Sequence, residues 1–384
     1  MVKPGPLWRD RRLLDAVKLA ASLVATDSRS FVSNIAVADL IEAALPQFEI
    51  ERLDYTDPAG VRKRVLVAHK RPMGGGLALS GHMDTVPATG WQGDPWSGRI
   101  EGGRLWGLGS TDMKGPVAAC IAAATMLSDS VPITLLITTD EETTKQGARL
   151  ICTDSSLVRR AKPSAILVAE PTGMIPVRGH RSSINFIAVA TGIQAHSSTG
   201  KGRNANWDLV PFLVEMKHLQ QRLRDDAVFH DRDYDPVFSD LNCTIDNHGA
   251  PVNMTVPKAT VRIKFRYSAS IDPSVVVAAV HDSAARAGLA LTEAREGAPP
   301  DLAGHHPLIR LAAAVTGQAA ITVPFGTDAA ELQAIAPCVV LGPGNVAQAH
   351  QPDEYLDIAA LTAAIPVFAT MAERVAREGR LPVG

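Results

Sequence analysis

Short, unbroken apolar runs alternate along this chain with stretches of helical spacing, and that alternation narrows the possible folds more than any other feature. "GLALSG" leads into the Ala-rich "DMKGPVAACIAAATML", whose helix is predicted to begin near Lys114. "VPITLLITTDEE" precedes a short helix around "TTKQGARLICT", and "SAILVAEPTG" ends in a Pro-containing turn. "CVVLGPG" is followed by a last helix, "DIAALTAAIPVFATMAERVAR". A strand that is apolar at every position has no solvent face, and such strands separated by helices build a largely parallel sheet covered on both sides. Helical spacing over Leu13 to Val24 and Val37 to Leu45 adds to that cover.

Near residue 181 the pattern changes. "SINFIAVATG" alternates like a half-exposed strand, and "GIQAHSSTGKGRNAN" is a Gly/Ser-rich loop before a helical run from Trp207 to Leu223. "SDLNCTIDNHG" and "TVPKATVRIKFRYS" read as two strands, and "DPSVVVAAVHDSAARAG" as a helix. The expected fold is therefore α/β. A mostly parallel sheet flanked by helices, residues 1–180 and 295–384, is interrupted by an α+β insertion over 181–294. At 384 residues, two domains are the natural expectation.

Charge and cysteine usage exclude several classes of partner. Lys plus Arg number 38 against 40 Asp plus Glu, a balance that argues against nucleic acid or an anionic membrane as the main partner. The opening "MVKPGPLWRDRRLLDAVKLA" lacks the apolar core of a secretory leader, and no run approaches a membrane span. Cys120, Cys152, Cys243 and Cys338 are scattered, which fits free thiols in a reducing cytoplasm.

The chemistry gathers at the strand ends. "LALS" delivers His82 and Asp84; "ITLLITT" delivers Asp140, Glu141 and Glu142; "AILVA" delivers Glu170; and "CVVLGPG" is followed by His350. Asp112 stands just before the helix near Lys114. In open α/β sheets ligands bind beyond the carboxyl ends of the strands, so these residues are expected to converge. Clustered carboxylates repel and take up protons unless a cation neutralises them. Two imidazoles with several carboxylates suit zinc or a similar first-row ion, and with one carboxylate bridging they make a two-metal site. Each piece alone has an ordinary reading: a loop His-x-Asp, a solvated Glu pair, a turn-capping Glu170, an exposed His350.

The stretches "SGHMDTVP", "GRLWGLGSTDMKG", "TTDEET", "AEPTG", "GIQAHSS" and "GPGNVAQAHQPDEYL", in that order from about residue 77 to 356, resemble the M20 family of dinuclear metallohydrolases. That family includes deacetylases, desuccinylases, aminoacylases and some carboxypeptidases. "LGPGNVAQAHQPDEYLD" is similar to its acetylornithine-deacetylase branch. The resemblance implies two divalent ions per chain, zinc first, with cobalt or manganese as alternatives. His82 and Glu170 would hold one ion, Glu142 and His350 the other, and Asp112 would bridge. Asp84 would accept a hydrogen bond from His82 and orient its ring. Glu141 would be the general base, taking a proton from a metal-activated water and passing it to the leaving amine.

The insertion would then be a ferredoxin-like dimerisation and lid domain. His196 would reach a partner subunit's site and polarise the substrate carbonyl, although a His in a Gly/Ser loop is ordinarily just solvated. Arg266 and Asn253, taken as the end and start of the last insertion strand, resemble contacts to a substrate carboxylate, although a strand Arg also makes surface salt bridges. Arg181 and Thr327 lie in regions expected to set specificity. The implied reaction is removal of the acetyl group from N2-acetyl-L-ornithine or a similar small N-acyl-L-amino acid by a cytoplasmic homodimer. Succinyl-diaminopimelate hydrolysis, or a broader aminoacylase or carboxypeptidase activity, is the alternative. Two other classes stand beside it. A metal-binding protein without activity would have no use for Glu141, and a two-metal phosphoesterase would carry more Lys or Arg in the ligand loops.

Overall fold

The computed structural model describes residues 11–70 and 72–378. Of the opening segment on which the leader reading rests, residues 1–10 lie outside the described residues, and residues 11–20 fall in the helix Arg11–Val24. The described residues fall into two compact units: those up to 179, with 300–321 and those from 327 on, form the first, and residues 180–299 with 322–326 the second. The return crossing thus falls at 300 rather than 295, and a short segment near 324, placed with the sheet domain from sequence, belongs to the inserted unit.

The first unit is built on an eight-stranded sheet. In spatial order its strands are Glu49–Thr56, Arg62–Lys70, Ile133–Thr138, Leu77–His82, Ala165–Val168, Cys338–Val340, Val177–His180 and Ile321–Val323. The pairings among the third to sixth are parallel. Antiparallel strands flank them on either side. Every residue of Leu77–His82 and of Ile133–Thr138 is buried, the consequence of cover on both faces and the reason these segments read as unbroken apolar runs. The hairpin of Glu49–Thr56 and Arg62–Lys70 was not anticipated. Its first strand alternates between exposed and half-buried positions and carries five charged or polar side chains among its eight residues, so it gives no apolar run.

Gly115–Met126 packs against Arg11–Val24 and Ile358–Glu378. Ten of its twelve residues are buried, which explains its small apolar side chains and the lack of a polar face. Ile358–Glu378 is long and apolar enough to cross a membrane by length and composition. In the structure its stripe Leu361, Ala364, Ile365, Phe368, Met371, Ala372 and Val375 belongs to the core of the first unit. A small sheet of Arg99–Glu101, Arg104–Trp106 and Tyr355–Asp357 pairs Tyr355 with Trp106 and so joins the segment before Asp112 to the one after His350.

The inserted unit has a four-stranded antiparallel sheet, in spatial order Asp240–Asp246, Lys258–Tyr267, Ser182–Thr191 and Ala290–Arg295. Helices Ala205–Asp225 and Ser274–Arg286 complete a βαββαβ chain order, the ferredoxin-like arrangement. Ala290–Arg295 is the last strand, so Arg266 and Asn253 do not flank the last strand of the insertion as its sequence suggested. Only one of the six residues of Ala290–Arg295 is aliphatic and larger than alanine, and none is fully buried, which is why it gave no strand signal.

Candidate active site

The register of the central strands decides what meets at their carboxyl ends. His82 lies opposite Thr138, and Ser80 lies opposite Val168. The residues just past each strand therefore emerge side by side: His82 and Asp84, then Asp140 to Glu142, then Glu170. His350 arrives on the loop after Cys338–Val340 with a left-handed backbone, φ 62°. Asp112 comes from the turn before Gly115–Met126, and the Asp112–Met113 peptide is cis. Gly109 opens that turn at φ 81°, where a Cβ would lie 2.6 Å from Thr85 Cγ2, so only glycine fits.

The side chains converge as two pairs around one carboxylate. Asp112 Oδ1 lies 3.1 Å from His82 Nε2, and Asp112 Oδ2 lies 3.4 Å from His350 Nε2. Glu170 Oε1 is 3.9 Å from His82 Nε2, and Glu142 Oε1 is 3.1 Å from His350 Nε2. Ligand atoms of His82, Asp112 and Glu142 all lie within 4.8 Å of one another. Left to themselves these groups compete for protons. Burial and the charge of Asp112 push Glu142 up to about 7 and Glu170 well above the carboxylate range. Hydrogen bonds to Asp112 and Glu142 raise His350 to about 11. Burial opposes a charge on His82, yet Asp112 and Asp84 hold it well above the usual imidazole value. Burial likewise opposes ionisation of Asp112, but the two imidazoles keep it low. Two divalent cations would replace those protons, and the donor set of two imidazoles and three carboxylates fits them.

Several residues around the cluster hold it in place. The Nδ1 of His82 bonds the backbone carbonyl of Asp84 at 3.0 Å, and the Asp84 carboxylate is farther away at 3.5 Å. The expected carboxylate-to-ring hydrogen bond is thus made by the main chain, because the Asp84 side chain is engaged elsewhere. It accepts from Ser30 Oγ at 2.8 Å and from the N–H groups of Glu141 and Glu142 at 3.3 and 3.4 Å. Glu354, buried and held up near 8 mainly by that burial, accepts from the N–H groups of Gly109, Thr111 and Asp112 at 3.0, 2.8 and 3.0 Å. It cradles the turn that presents Asp112. Glu141 is half-buried next to Glu142 and accepts a hydrogen bond from Lys145, four residues on at the end of the same turn. Asp328, pushed up to about 7 by burial and by Glu141, accepts from Thr138 Oγ1 at 2.5 Å. Sequence reading assigned no role to Glu354, Lys145 or Ser30. Glu354 lay inside a quoted motif, but nothing in one sequence marks a carboxylate that binds backbone.

The remaining predicted residues divide between the units. Thr327, in the first unit, is fully buried, and its hydroxyl accepts from the Ala329 N–H at 3.1 Å, just ahead of the short helix Ala329–Leu332. In the inserted unit His196 is exposed, with Ser198 Oγ 2.8 Å from its Nδ1. Its loop pairs with that of Asn253: Ser197 N–H donates to the Asn253 carbonyl at 2.9 Å. Arg266 is half-buried on the strand face it shares with Arg262 and Lys264. The Arg181 guanidinium is buried, donates to the Pro236 carbonyl and lies 5.4 Å from the Tyr234 ring centre.

Residues 78–374 match the model of peptidase family M20/M25/M40. The chain belongs to that family. Like its M20 relatives it is a metal-dependent hydrolase acting on amides. It is 30% identical over 353 residues to the acetylornithine deacetylase of Proteus mirabilis, covering 88% of this chain and 89% of that one. It is 32% identical to the acetylornithine deacetylase of Vibrio vulnificus, covering 76% and 79%. Among solved M20-type folds, human carnosine dipeptidase 1 superposes with a TM-score of 0.73 at 16% identity, covering 96% of this chain and 98% of its own. A dinuclear metal binding peptidase of the M20 family from Bacillus subtilis, YXEP, superposes with a TM-score of 0.63 at 17% identity, covering 95% and 99%. At those identities the superpositions speak for the fold alone.

Proposed function

We propose that this M20 enzyme hydrolyses the amide of a small N-acyl-L-amino acid, N2-acetyl-L-ornithine first among them, with two divalent ions in the site. The observation that carries the reading is the placement of Asp112, one carboxylate oxygen toward the His82–Glu170 pair and the other toward the His350–Glu142 pair. A single carboxylate between two His/Glu pairs is what a bridged pair of cations asks of a protein. When bound, such ions would supply Lewis-acid polarisation and make a water acidic enough to be deprotonated near neutral pH.

The chain's own groups do the rest. Glu141, next in the chain to the ligand Glu142 and paired with Lys145, would take the proton of the attacking water and return it to the leaving nitrogen. Asp84 holds the backbone of both Glu141 and Glu142, which keeps base and ligand in register. Arg266 would bind the substrate α-carboxylate, and His196, exposed on its loop, would polarise the amide carbonyl of a partner subunit's substrate.

A homodimer through 181–294 is supported by two exposed features of the inserted unit. Trp207, Val210 and Val214 form an apolar stripe on Ala205–Asp225, and Asp240–Asp246 is an edge strand with mostly exposed residues. The acetyl group is preferred to succinyl because Arg181, the residue suited to a second substrate carboxylate, is occupied by Pro236 and Tyr234. Steady-state hydrolysis of N2-acetyl-L-ornithine, other N-acetyl-L-amino acids and N-succinyl-L,L-diaminopimelate tests the assignment. The highest kcat/KM is expected for an acetyl substrate, and a clear preference for the succinyl one would reverse the choice.

A further inference from the structure

Two lysines are buried on the strand Arg62–Lys70, and the register sets them at opposite edges of the sheet. Lys70 pairs with Ile133, the first residue of the neighbouring strand; its Nζ donates to the Leu127 carbonyl at 2.9 Å and lies 2.9 Å from Asp129. Lys63 lies beyond Leu66, the partner of Ile137, and so falls at the carboxyl edge where the Asp140–Glu142 turn begins. There it is fully buried, donating to the carbonyls of Ser30 at 2.5 Å and Val32 at 2.9 Å, with its ammonium 3.0 Å from Asp140 Oδ1. Its cross-strand partner is Tyr55, whose hydroxyl donates to the other oxygen, Asp140 Oδ2, at 2.5 Å.

Both oxygens of Asp140 are thus held from below, and Asp140 is the hinge of the turn. Its backbone is left-handed, φ 61°, and its carbonyl accepts the N–H groups of Thr144 and Lys145 at 3.0 and 2.6 Å. Ser30, whose carbonyl Lys63 also holds, donates its hydroxyl to Asp84, and Asp84 accepts the N–H groups of Glu141 and Glu142. One ammonium therefore reaches both supports of the turn that carries the base and a metal ligand. We propose that Lys63, with Tyr55, is a positioning residue for this site, fixing Glu141 and Glu142 through Asp140 and the Ser30–Asp84 contact without touching metal or substrate. Replacing a whole buried ion pair by apolar groups is often neutral for stability, so stability alone does not account for the Lys63–Asp140 pair.

The inference rests on the metal-amidase reading. Its test uses the full chain loaded with saturating cobalt, with N2-acetyl-L-ornithine as the substrate. Tyr55→Phe and Lys63→Met are expected to lower kcat by roughly ten- to a hundredfold with KM unchanged, and to shift the visible d–d absorption of the bound cobalt. Lys70→Met, the control on the same strand, should lower the melting temperature and leave kcat and the cobalt spectrum as in the wild type. If Lys63→Met is too unstable to purify, Tyr55→Phe decides, since it loses only a hydroxyl. Wild-type kcat with an unaltered cobalt spectrum in Tyr55→Phe, and in Lys63→Met where it folds, would overturn the proposal and leave Lys63 a structural residue like Lys70. The spectrum needs no substrate, so a wild-type enzyme inactive on acetylornithine would fail the substrate assignment and still leave this comparison readable.

Discussion

At the carboxyl edge of the main sheet, Asp84 and Glu354 are buried, and each accepts hydrogen bonds from several backbone or hydroxyl groups. In the inserted unit, by contrast, His196 is exposed on a loop and Arg266 stands half-buried on an open strand face. Both regions hold residues expected to act on one substrate, yet only the first gathers its candidates into one cluster of hydrogen bonds and ion pairs. A metal site needs its ligands fixed before the ion arrives, because carboxylates brought together loosely would protonate instead. A group that must meet a substrate brought to it can remain on a mobile or shared surface until then.

Metal removal gives the largest effect expected from that contrast. Dialysis against a chelator should abolish hydrolysis, and zinc or cobalt should restore it, because the clustered region is useless without its ions. Full turnover in protein shown by elemental analysis to be metal-free would end the two-ion reading. Next is the base. Glu141→Gln should retain two metals per chain and lose about a hundred- to ten-thousandfold in kcat. Loss of a metal in that variant would instead make Glu141 a ligand.

The contrast sharpens in a mixing experiment. His196→Ala and Glu141→Ala chains should each be nearly inactive, and dimers reassembled from the two should regain activity through one intact composite site. No recovery with heterodimers confirmed by mass would keep His196 within its own subunit or outside the reaction. A smaller effect is expected at Glu354. Glu354→Gln should weaken metal binding by roughly ten- to a hundredfold, measured by competition with a chromophoric chelator, because it loosens the cradle around Asp112.

The smallest effect is on stability. Glu142 is raised to about 7 and His350 to about 11 in the folded chain, so each binds its proton more tightly folded than unfolded. Their contributions are fully present below the unfolded values, and each is lost as pH rises through its folded value. Chelated protein should therefore melt at falling temperatures as pH is raised from 5 to 8, the window in which Glu142 loses its proton. Restoring the metal should flatten that slope. A chelated protein whose melting temperature does not change with pH would mean that the buried carboxyls are neutralised some other way.

The sequence by itself determined the central strands and their helical cover, and it set His82, Asp84, Asp140 to Glu142 and Glu170 just past the strand ends. The physical reason is that doubly covered strands must be apolar throughout, and that polar residues directly after such strands have only one edge to occupy. The choice of His82, Asp112, Glu142, Glu170 and His350 as ligands came instead from the likeness to the M20 family. The sequence did not reveal the outer hairpin or Ala290–Arg295; in Glu49–Thr56 and Ala290–Arg295 exposed faces interrupt the apolar pattern. Tertiary structure alone decided the supports. Whether the imidazole of His82 bonds the side chain or the main chain of Asp84, and that Glu354 binds three N–H groups, depend on distances between segments far apart in the chain. Lys63 stands in sequence as an ordinary lysine between two arginines, and only the register against Ile133–Thr138 carries it to the edge where Asp140 waits. Charge type is a local property of the chain, whereas the partner that makes a buried charge tolerable is a property of the fold.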